Sequence, residues 1–536
     1  MQTEAVYHII LTLLTFIERN AKVYRDKVAI IYEQQTFTYR EFAARVNCLA
    51  SALRYAGMEK GERVAFFAFN TPHFLEAHFA VPLAGGILVS INTRLASQEV
   101  AYILNDSGAK FLFVDTELAD IIRPIQNELK TVKHIININD IPGFTPLDGE
   151  DYEQFLQTGN SEALPWVITD ELETITINYT SGTSGYPKGV MYSHRGAYLS
   201  TLGEIIEINL TPNSVYLWTL PMFHCNGWCF PWAVTAIGGT HICLRKFHPA
   251  KVWEIIQKEQ VTHFNAAPVV LISLLNYRER PLSLEKPITI TTAGAPPSPT
   301  LIEKYTAIGA KIIHVYGLTE VYGPYTICEY QSDWDNFNNA EKGKLLARQG
   351  VTYISGDGLR VVDKNMQDIP ADGTTMGEVV MRGNMVMKGY YHDPEGTEKA
   401  FRGGWFHSGD LAVMHPDGYI EVRDRMKDII ITNGENVSSI EVEQCLYRHE
   451  AVLECAVISV PHKKRGEAPK AFVTLKEDVQ VTEQELIQFC RSQIAAFKCP
   501  IAIEFTNLPK TSTGKIQKYI LRNKEWAGYE RKIQGA

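Results

Sequence analysis

A chain of 536 residues, 45% of them hydrophobic and 21% charged, is too long for one ordinary domain and can build large buried cores. The net charge of −9 and the lack of any Lys/Arg-rich run argue against a nucleic-acid-binding role. An acidic protein that handles an anionic ligand must concentrate positive charge locally, and Lys188, Arg425 and Lys515 are candidates.

At the start, the apolar run Tyr7 to Ile17 has no basic flank and no small-residue cleavage site, and Glu18-Arg19 interrupts it too early for a membrane span. It predicts a short helix docked on the body. From about Ala29 to Lys427, short β-branched runs alternate with turn residues and amphipathic stretches. The runs Arg63–Ala68, Ala109–Val114, Ile288–Thr292 and Lys311–Val315 are examples. This alternation predicts α/β layers around largely parallel sheets. Three runs end in polar or glycine residues, at Ser181-Gly182, Ala293 to Pro296 and Tyr316-Gly317. Ligands of open α/β sheets collect at strand carboxyl ends, so these loops are expected to share a crevice.

The stretch from Tyr179 to Gly189 is rich in hydroxyls and glycines: Thr180, Ser181, Gly182, Thr183, Ser184 and Gly185 precede Pro187 and Lys188. Such a loop can wrap a polyphosphate with backbone N–H groups, hydroxyls and one cation. The apolar run Ile175 to Tyr179 leads in, and Ser193 onward could open a helix, so a strand, glycine-rich loop and helix are expected in that order. The spacing G-x-x-x-x-G-K-[ST] of the common nucleotide loop is absent. A flexible Gly/Ser linker is the competing reading, but a linker has no use for a leading strand or a Pro-Lys-Gly end.

Leu220 to Trp232 places His224, Cys225, Trp228 and Cys229 close together. One right-handed helical turn would project Trp228 beside His224. Cys225 and Cys229 beside His224 could be metal ligands, but no second pair has zinc-like spacing, which favours pocket-wall thiols. The nine cysteines follow no regular framework, as expected of reduced thiols in a cytosol-like compartment.

In Tyr316 to Glu320 the aromatic can stack on a purine, Thr319 can bond a phosphate oxygen, and Glu320 can hold Mg²⁺. A strand-end turn is the bland alternative. Asp410, after Gly409, is a carboxylate suited to ribose hydroxyls or to an Asx-turn. The charges from Arg423 to Asp428 suit a ligand or a solvated turn.

Past Lys427 the character changes. From residue 428 onward there are 15 basic and 14 acidic residues, against 37 and 47 before it. Ser439 to Leu446 predicts a capped helix, Glu454–Val460 and Lys470–Leu475 predict strands, and Thr482 to Glu485 is a capping box. Leu486, Cys490 and Ile494 line that last helix's apolar face. The predicted architecture is α/β: a large multi-layer N-terminal domain with mostly parallel sheets (1–425), and a small mobile α+β C-terminal domain (426–536). The loop Leu508 to Lys518 carries Lys510, Lys515 and Lys518, and in isolation would be read as surface.

Together these stretches resemble the adenylate-forming superfamily of acyl-CoA synthetases, luciferase and peptide-synthetase adenylation domains. Five motifs carry the resemblance in order: Tyr179–Gly189, Tyr316–Glu320, Gly404–Leu411, Gly418–Asn436 and Leu508–Lys518. The resemblance implies an ATP- and coenzyme A-dependent ligase of carboxylic acids with Mg²⁺. It places Val315, Tyr316, Gly317, Gly294, Ala295 and Pro296 on the adenine side, Thr319 on the α-phosphate, and Thr183 with Glu320 on the metal. Asp410 is assigned to ribose, Arg425 to ribose or phosphate, and Lys515 to the carboxylate and α-phosphate. Lys427 becomes the interdomain pivot, and Gly434 with Glu435 lies along the pantetheine path, while Lys510 and Lys518 remain accessory or surface charges. Ser438-Ser439 departs from the family pattern after Asn436.

His224 is placed at the mouth of the acyl pocket, with a satisfied core histidine as the alternative. Trp228, Gly294, Gly317, Tyr322 and Gly323 shape that pocket. The wording around His224 most resembles short- and medium-chain fatty acyl-CoA ligases, including 3-methylmercaptopropionate-CoA ligases. An aryl acid such as benzoate or cinnamate is the alternative substrate, and a nucleotide-binding module without catalysis the alternative function. No phosphopantetheine-serine segment follows Lys515, so free coenzyme A is the expected thiol. Ile533 to Ala536 is not a peroxisomal tripeptide, and cytoplasm is the expected compartment. A homodimer is an expectation from the family alone.

Overall fold

Strands that are apolar on both faces need cover on both sides, and amphipathic helices between them supply it. The computed structural model describes residues 8–180, 187–432, 435–463, 465–477, 479–510 and 516–529. Two large sheets form the body. In the seven-stranded sheet, the strands Glu150–Asp151, His134–Ile138, Phe111–Asp115, Arg63–Phe67, Ile87–Ser90 and Thr174–Thr180 run parallel in that spatial order. Lys188–Ser193 closes its edge antiparallel to Thr174–Thr180.

The nine-stranded sheet has a parallel centre. In spatial order it runs Ala310–Leu318, Ile288–Thr292, His263–Asn265, Val215–Leu217, Thr240–Ile242 and Val28–Tyr32. Antiparallel strands flank it: Gln35–Thr38 at one edge, Gly323–Ile327 and then Val351–Thr352 at the other. One continuous apolar cluster joins the two sheets, with Phe66, Phe113 and Ile136 from one and Tyr216, Trp218, Ile313 and Val315 from the other. Only the end of the N-terminal apolar run is helical: the helix is Leu14–Val23, which continues through Glu18-Arg19 and buries Leu14, Phe16 and Ile17, while residues 8–13 are not helical.

A third, antiparallel sheet follows: Gly358–Val362, Met376–Arg382, Phe406–Met414 and Ile420–Arg425. Beyond Arg425 the strands join a separate sheet built from Glu435–Val437, Ile430–Thr432, Gly466–Leu475, Val452–His462 and Ala502–Phe505. The helix Ser439–Tyr447 is capped by Ser438, whose side chain accepts from Glu441 N. Thr482 and Glu485 form the expected capping box on Glu483–Gln493. The architecture is thus α/β, with mostly parallel sheets in a large N-terminal part and a smaller C-terminal part. No helix among the described residues is long and apolar enough to cross a membrane.

Two local expectations are corrected. The glycine-rich segment does not pass from strand into helix: it joins the antiparallel pair Thr174–Thr180 and Lys188–Ser193, with Thr180 opposite Lys188. The helix expected from Ser193 onward is present as His194–Glu207, capped by Ser193, but the strand Lys188–Ser193 separates it from the glycine-rich segment. Tyr316-Gly317 is not a strand end either, because the strand runs on to Leu318 and pairs with Gly323–Ile327 across a bulge.

Candidate active site

Ser181, Gly182, Thr183, Ser184, Gly185, Gly434 and Lys515 lie outside the described residues. The remaining site candidates fall into three groups.

The first surrounds Lys188. Gly189 beside it sits where a Cβ would lie 2.7 Å from Ile177 and 3.2 Å from Tyr391, so only glycine lets the 387–391 segment cross this strand. Tyr391 N bonds Gly189 O and Met191 N bonds Gly389 O. The crossing brings Lys188 Nζ to 2.7 Å from Asp393 Oδ2 and 4.8 Å above the Tyr390 ring. The Lys188 ammonium holds the Asp393 carboxyl below the usual range. The Tyr390 hydroxyl in turn donates to Glu320 Oε1 at 3.0 Å. One tyrosine therefore links the loop's lysine to the candidate metal carboxylate, although these residues come from different sheets. Burial pushes the Glu320 carboxyl above its ordinary pKa. A nearby cation would relieve that penalty, and a carboxylate oxygen suits a hard cation such as Mg²⁺.

The second group surrounds Asp410. Tyr316 donates its hydroxyl to Asp410 Oδ2 at 2.7 Å, and Arg425 Nε lies 3.5 Å from Asp410 Oδ1. Asp410 and Arg425 face each other across paired strands, so register alone aligns them. Gly294, at φ +89° with open space around it, and Ala295 are exposed on the loop after Ile288–Thr292. That strand lies beside the one carrying Tyr316. Val315 is fully buried in the core, so its side chain is not available to a ligand.

The third group is the His224 segment, where the expected right-handed turn is absent. Cys225, Asn226, Gly227, Trp228 and Cys229 all have positive φ, from 41° to 64°. This is one turn of left-handed helix, a conformation costing roughly 1–2 kcal/mol per non-glycine residue. Trp228 is therefore not displayed beside His224 at right-handed spacing; it packs against Gly323, where a Cβ would lie 3.0 Å from the indole.

Asn226 holds the turn. It is fully buried, its Oδ1 accepts from Thr176 Oγ1 at 2.8 Å and Asn178 Nδ2 at 2.5 Å, and its Nδ2 donates to Ser90 Oγ at 3.1 Å. Its backbone N donates to Asn178 Oδ1. Thus three side chains of the seven-stranded sheet fix a turn that belongs to the other sheet's connection. Cys225 lies 3.2 Å from Thr319 Oγ1 and 3.8 Å from His224 Nε2, its thiol pushed up to about 12 by burial. Tyr322 stacks on Tyr192 with centroids 4.0 Å apart, and its hydroxyl oxygen accepts from Ser193 N. Gly317 is required by the strand pairing, since a Cβ there would lie 1.8 Å from Gly323 O.

Around the expected pivot, Lys427 sits in an exposed turn after Arg425, and Glu435 is exposed on its strand. Across that turn Asp424 Oδ2 accepts from Ser439 N at 2.5 Å, and Ser438 Oγ donates to Arg423 O. Lys518 is not a surface charge: it is mostly buried, 2.7 Å from Glu443 and 2.6 Å from Ser439 Oγ. Lys510 pairs with Glu454 on a more open face.

Sequence reasoning missed Tyr390, Asp393, Asn226 and Asp424. A Tyr-Tyr pair followed by Asp393-Pro394, a helix N-cap and first-turn proline, was a readable local signal for the first two. Nothing local marks Asn226 as the holder of a left-handed turn.

The model of the family described as "AMP-binding enzyme" matches residues 17–391, and that of the "AMP-binding enzyme C-terminal domain" matches 441–515. A relative, 4-hydroxybutyrate–CoA ligase 2 of Metallosphaera sedula, is 44% identical over 522 residues, covering 96% of this chain and 95% of its own. An acetate–CoA ligase of Humulus lupulus is 44% identical over 539 residues, covering 96% and 94%. A crystal structure of the anthranilate CoA ligase AuaEII in complex with anthranoyl-AMP is 26% identical, with a TM-score of 0.86 and coverage of 97% and 98%.

Proposed function

The chain belongs to the AMP-binding enzyme family and is a carboxylate–CoA ligase using ATP and coenzyme A, and from that premise we propose that it activates a short- or medium-chain fatty or methylthio-alkanoic acid. In this reading the acid's carboxylate oxygen attacks the α-phosphorus of ATP. A carboxylate–phosphorus bond forms, the bond to the β-phosphate oxygen breaks, and pyrophosphate leaves. The thiol of coenzyme A then attacks the acyl carbon, the carbon–oxygen bond to AMP breaks, and the thiol proton is lost.

The observation that carries the site reading is the convergence of Lys188, Tyr390 and Glu320 near the strand that presents Tyr316 to Asp410 and Arg425. Chemistry at phosphorus needs positioning and charge neutralisation more than covalent help. Lys188 and Lys515 supply positive charge, Asp410 and Tyr316 fix the nucleoside, and Thr319 faces the transferred phosphate. Glu320 with Thr183 would hold Mg²⁺, which when bound neutralises phosphate charge. The domains are assigned as 1–425 and 426–536, with Lys427 as pivot and Gly434 with Glu435 on the coenzyme A side.

The short-chain reading is supported by Trp228 set against Gly323, which brings an indole to the His224 segment, and by relatives named for 4-hydroxybutyrate and acetate. An aryl acid is the second reading, favoured by the fold shared with an anthranilate ligase. Carboxylate-dependent ATP–pyrophosphate exchange with acids from acetate to palmitate, plus methylthiopropionate and benzoate, tests both. A maximum at short or medium chains is expected. A maximum at benzoate would transfer the assignment to aryl acids.

A further inference from the structure

A second set of polar groups lies directly behind the left-handed turn and is not used by the chemistry above. Tyr216, Asn265 and Thr291 project from one face of the nine-stranded sheet, since Tyr216 is level with His263, and Asn265 with Thr291. The helix His194–Glu207 supplies Ser200 and Glu204, one turn apart. All five residues are at most 2% exposed. Buried polar groups are ordinarily hydrogen-bonded, yet the Thr291 hydroxyl and both amide atoms of Asn265 have no hydrogen-bond partner among the described residues. The Ser200 hydroxyl faces the Cys229 thiol, and the Tyr216 hydroxyl faces the Asn265 backbone. Glu204 receives a 3.2 Å bond from Tyr353, and burial raises its carboxyl well above the usual range by disfavouring the charged form.

These groups are connected to the acyl side of the site. Cys229, the last residue of the left-handed turn, and Tyr216 are both electrostatic neighbours of Glu204. The Tyr216 ring stacks on Phe230, the residue after that turn, at 4.8 Å. Thr219 opens the segment leading to His224 by donating to Asn265 O at 2.7 Å. Thr291 and Thr292, the latter also unpartnered, run straight into the Gly294 loop. The polar layer thus adjoins the segments that carry His224, Trp228 and Gly294.

We propose that this layer is the far end of the acyl pocket, and that Asn265 and Tyr216 select short acids carrying a hydrogen-bonding group, a hydroxyl above all, remote from the carboxylate. The proposal rests on the ligase reading given above. An apolar chain end placed here would leave the Asn265 amide and the Thr291 hydroxyl unpaired in a dry interior, whereas a terminal hydroxyl can both donate to Asn265 Oδ1 and accept from its Nδ2 or from Tyr216. Pockets built to bond a substrate hydroxyl discriminate strongly against analogues that lack it.

The test compares 4-hydroxybutyrate with its near-isostere pentanoate, reading kcat/KM from acid-dependent ATP–pyrophosphate exchange. In the wild type a preference for the hydroxy acid of about a hundredfold or more is expected. Asn265→Leu and Tyr216→Phe should each cut that ratio about tenfold or more while KM for ATP stays within about twofold. A wild type that uses pentanoate at least as well overturns the polar-end proposal and leaves the ligase reading standing. An unchanged ratio in both variants does the same. Exchange with no acid of either kind overturns the ligase reading itself. If Asn265→Leu does not fold, the wild-type ratio and Tyr216→Phe, which removes a single oxygen, decide.

Discussion

The ammonium of Lys188 and the carboxylate of Asp393 stand 2.7 Å apart, each about one-third exposed. The pair sits over Tyr390, whose hydroxyl is committed to Glu320. Asp393 therefore holds the loop's lysine in place before any phosphate arrives, and a polyphosphate with more charge would displace it. Partly exposed pairs contribute little to stability. Lys188→Ala should lower kcat/KM for ATP about a hundredfold, as removal of one transition-state donor typically does. Asp393→Asn should change it less than about tenfold and leave the melting temperature nearly unchanged. Pyrophosphate exchange at varied ATP measures both, and an equal loss in the two variants would contradict this division of roles.

Asn226 makes four hydrogen bonds that hold five successive left-handed residues against their intrinsic preference. Asn226→Ala would leave Asn178, Thr176 and Ser90 short of partners in a buried place and free the turn carrying Trp228. The expected outcome is a drop of several degrees in melting temperature and a rise of at least about tenfold in KM for the acid, with KM for ATP within about twofold. Parallel losses for acid and ATP would show instead that the turn supports the whole site.

The sheets, the Ser438 cap and the Thr482 capping box were legible because each is written in local pattern: β-branched runs, and a hydroxyl three residues before a carboxylate. Asp410 opposite Arg425 was legible only as two separate motif residues; strand register joins them. The left-handed turn was not legible, because its cause is distant: Ser90, Thr176 and Asn178 are 48 to 136 residues away from Asn226. The helix opening at Ser193 was legible, but the strand that separates it from the glycine-rich segment was not, for a related reason. Lys188 to Ser193 alternates only weakly, and its identity as a strand comes from pairing with Thr174–Thr180 and from the crossing segment at Gly389.

Glu204 gives a pH prediction of definite sign. Burial raises its folded-state pKa, so between the unfolded value near 4.5 and the folded one, the unfolded chain is ionised while the folded chain holds the proton. Its presence therefore costs stability progressively as pH rises above about 4.5. Glu204→Gln keeps an oxygen to accept from Tyr353 and removes that cost. The variant should match the wild type near pH 4.5 and become more stable than it toward pH 8, by up to ~1.4 kcal/mol per pH unit until the folded pKa is reached. Urea denaturation of both proteins across that range measures the difference, and a gap that does not widen with pH would mean the carboxyl ionises normally.

The two half-reactions place different demands on the turn at Lys427. In the present arrangement Asp424 binds Ser439 N and Arg423 O receives Ser438 Oγ, so contacts from both sides of the turn lock together. Any rotation of the smaller part about Lys427 must break them, and the loss of Ser439 N from Oδ2 of the buried Asp424, whose Oδ1 still accepts from Arg425 N, makes that rotation a discrete step. Lys427→Pro fixes φ at the pivot. It is expected to leave pyrophosphate exchange within about threefold of wild type while thioester formation falls at least about tenfold. Lys515→Ala should do the reverse, cutting exchange about a hundredfold or more. Thioester formation from a supplied acyl-adenylate should fall far less in that variant. Equal loss of both half-reactions in Lys427→Pro would move the pivot elsewhere, and near-normal exchange in Lys515→Ala would remove that lysine from adenylation.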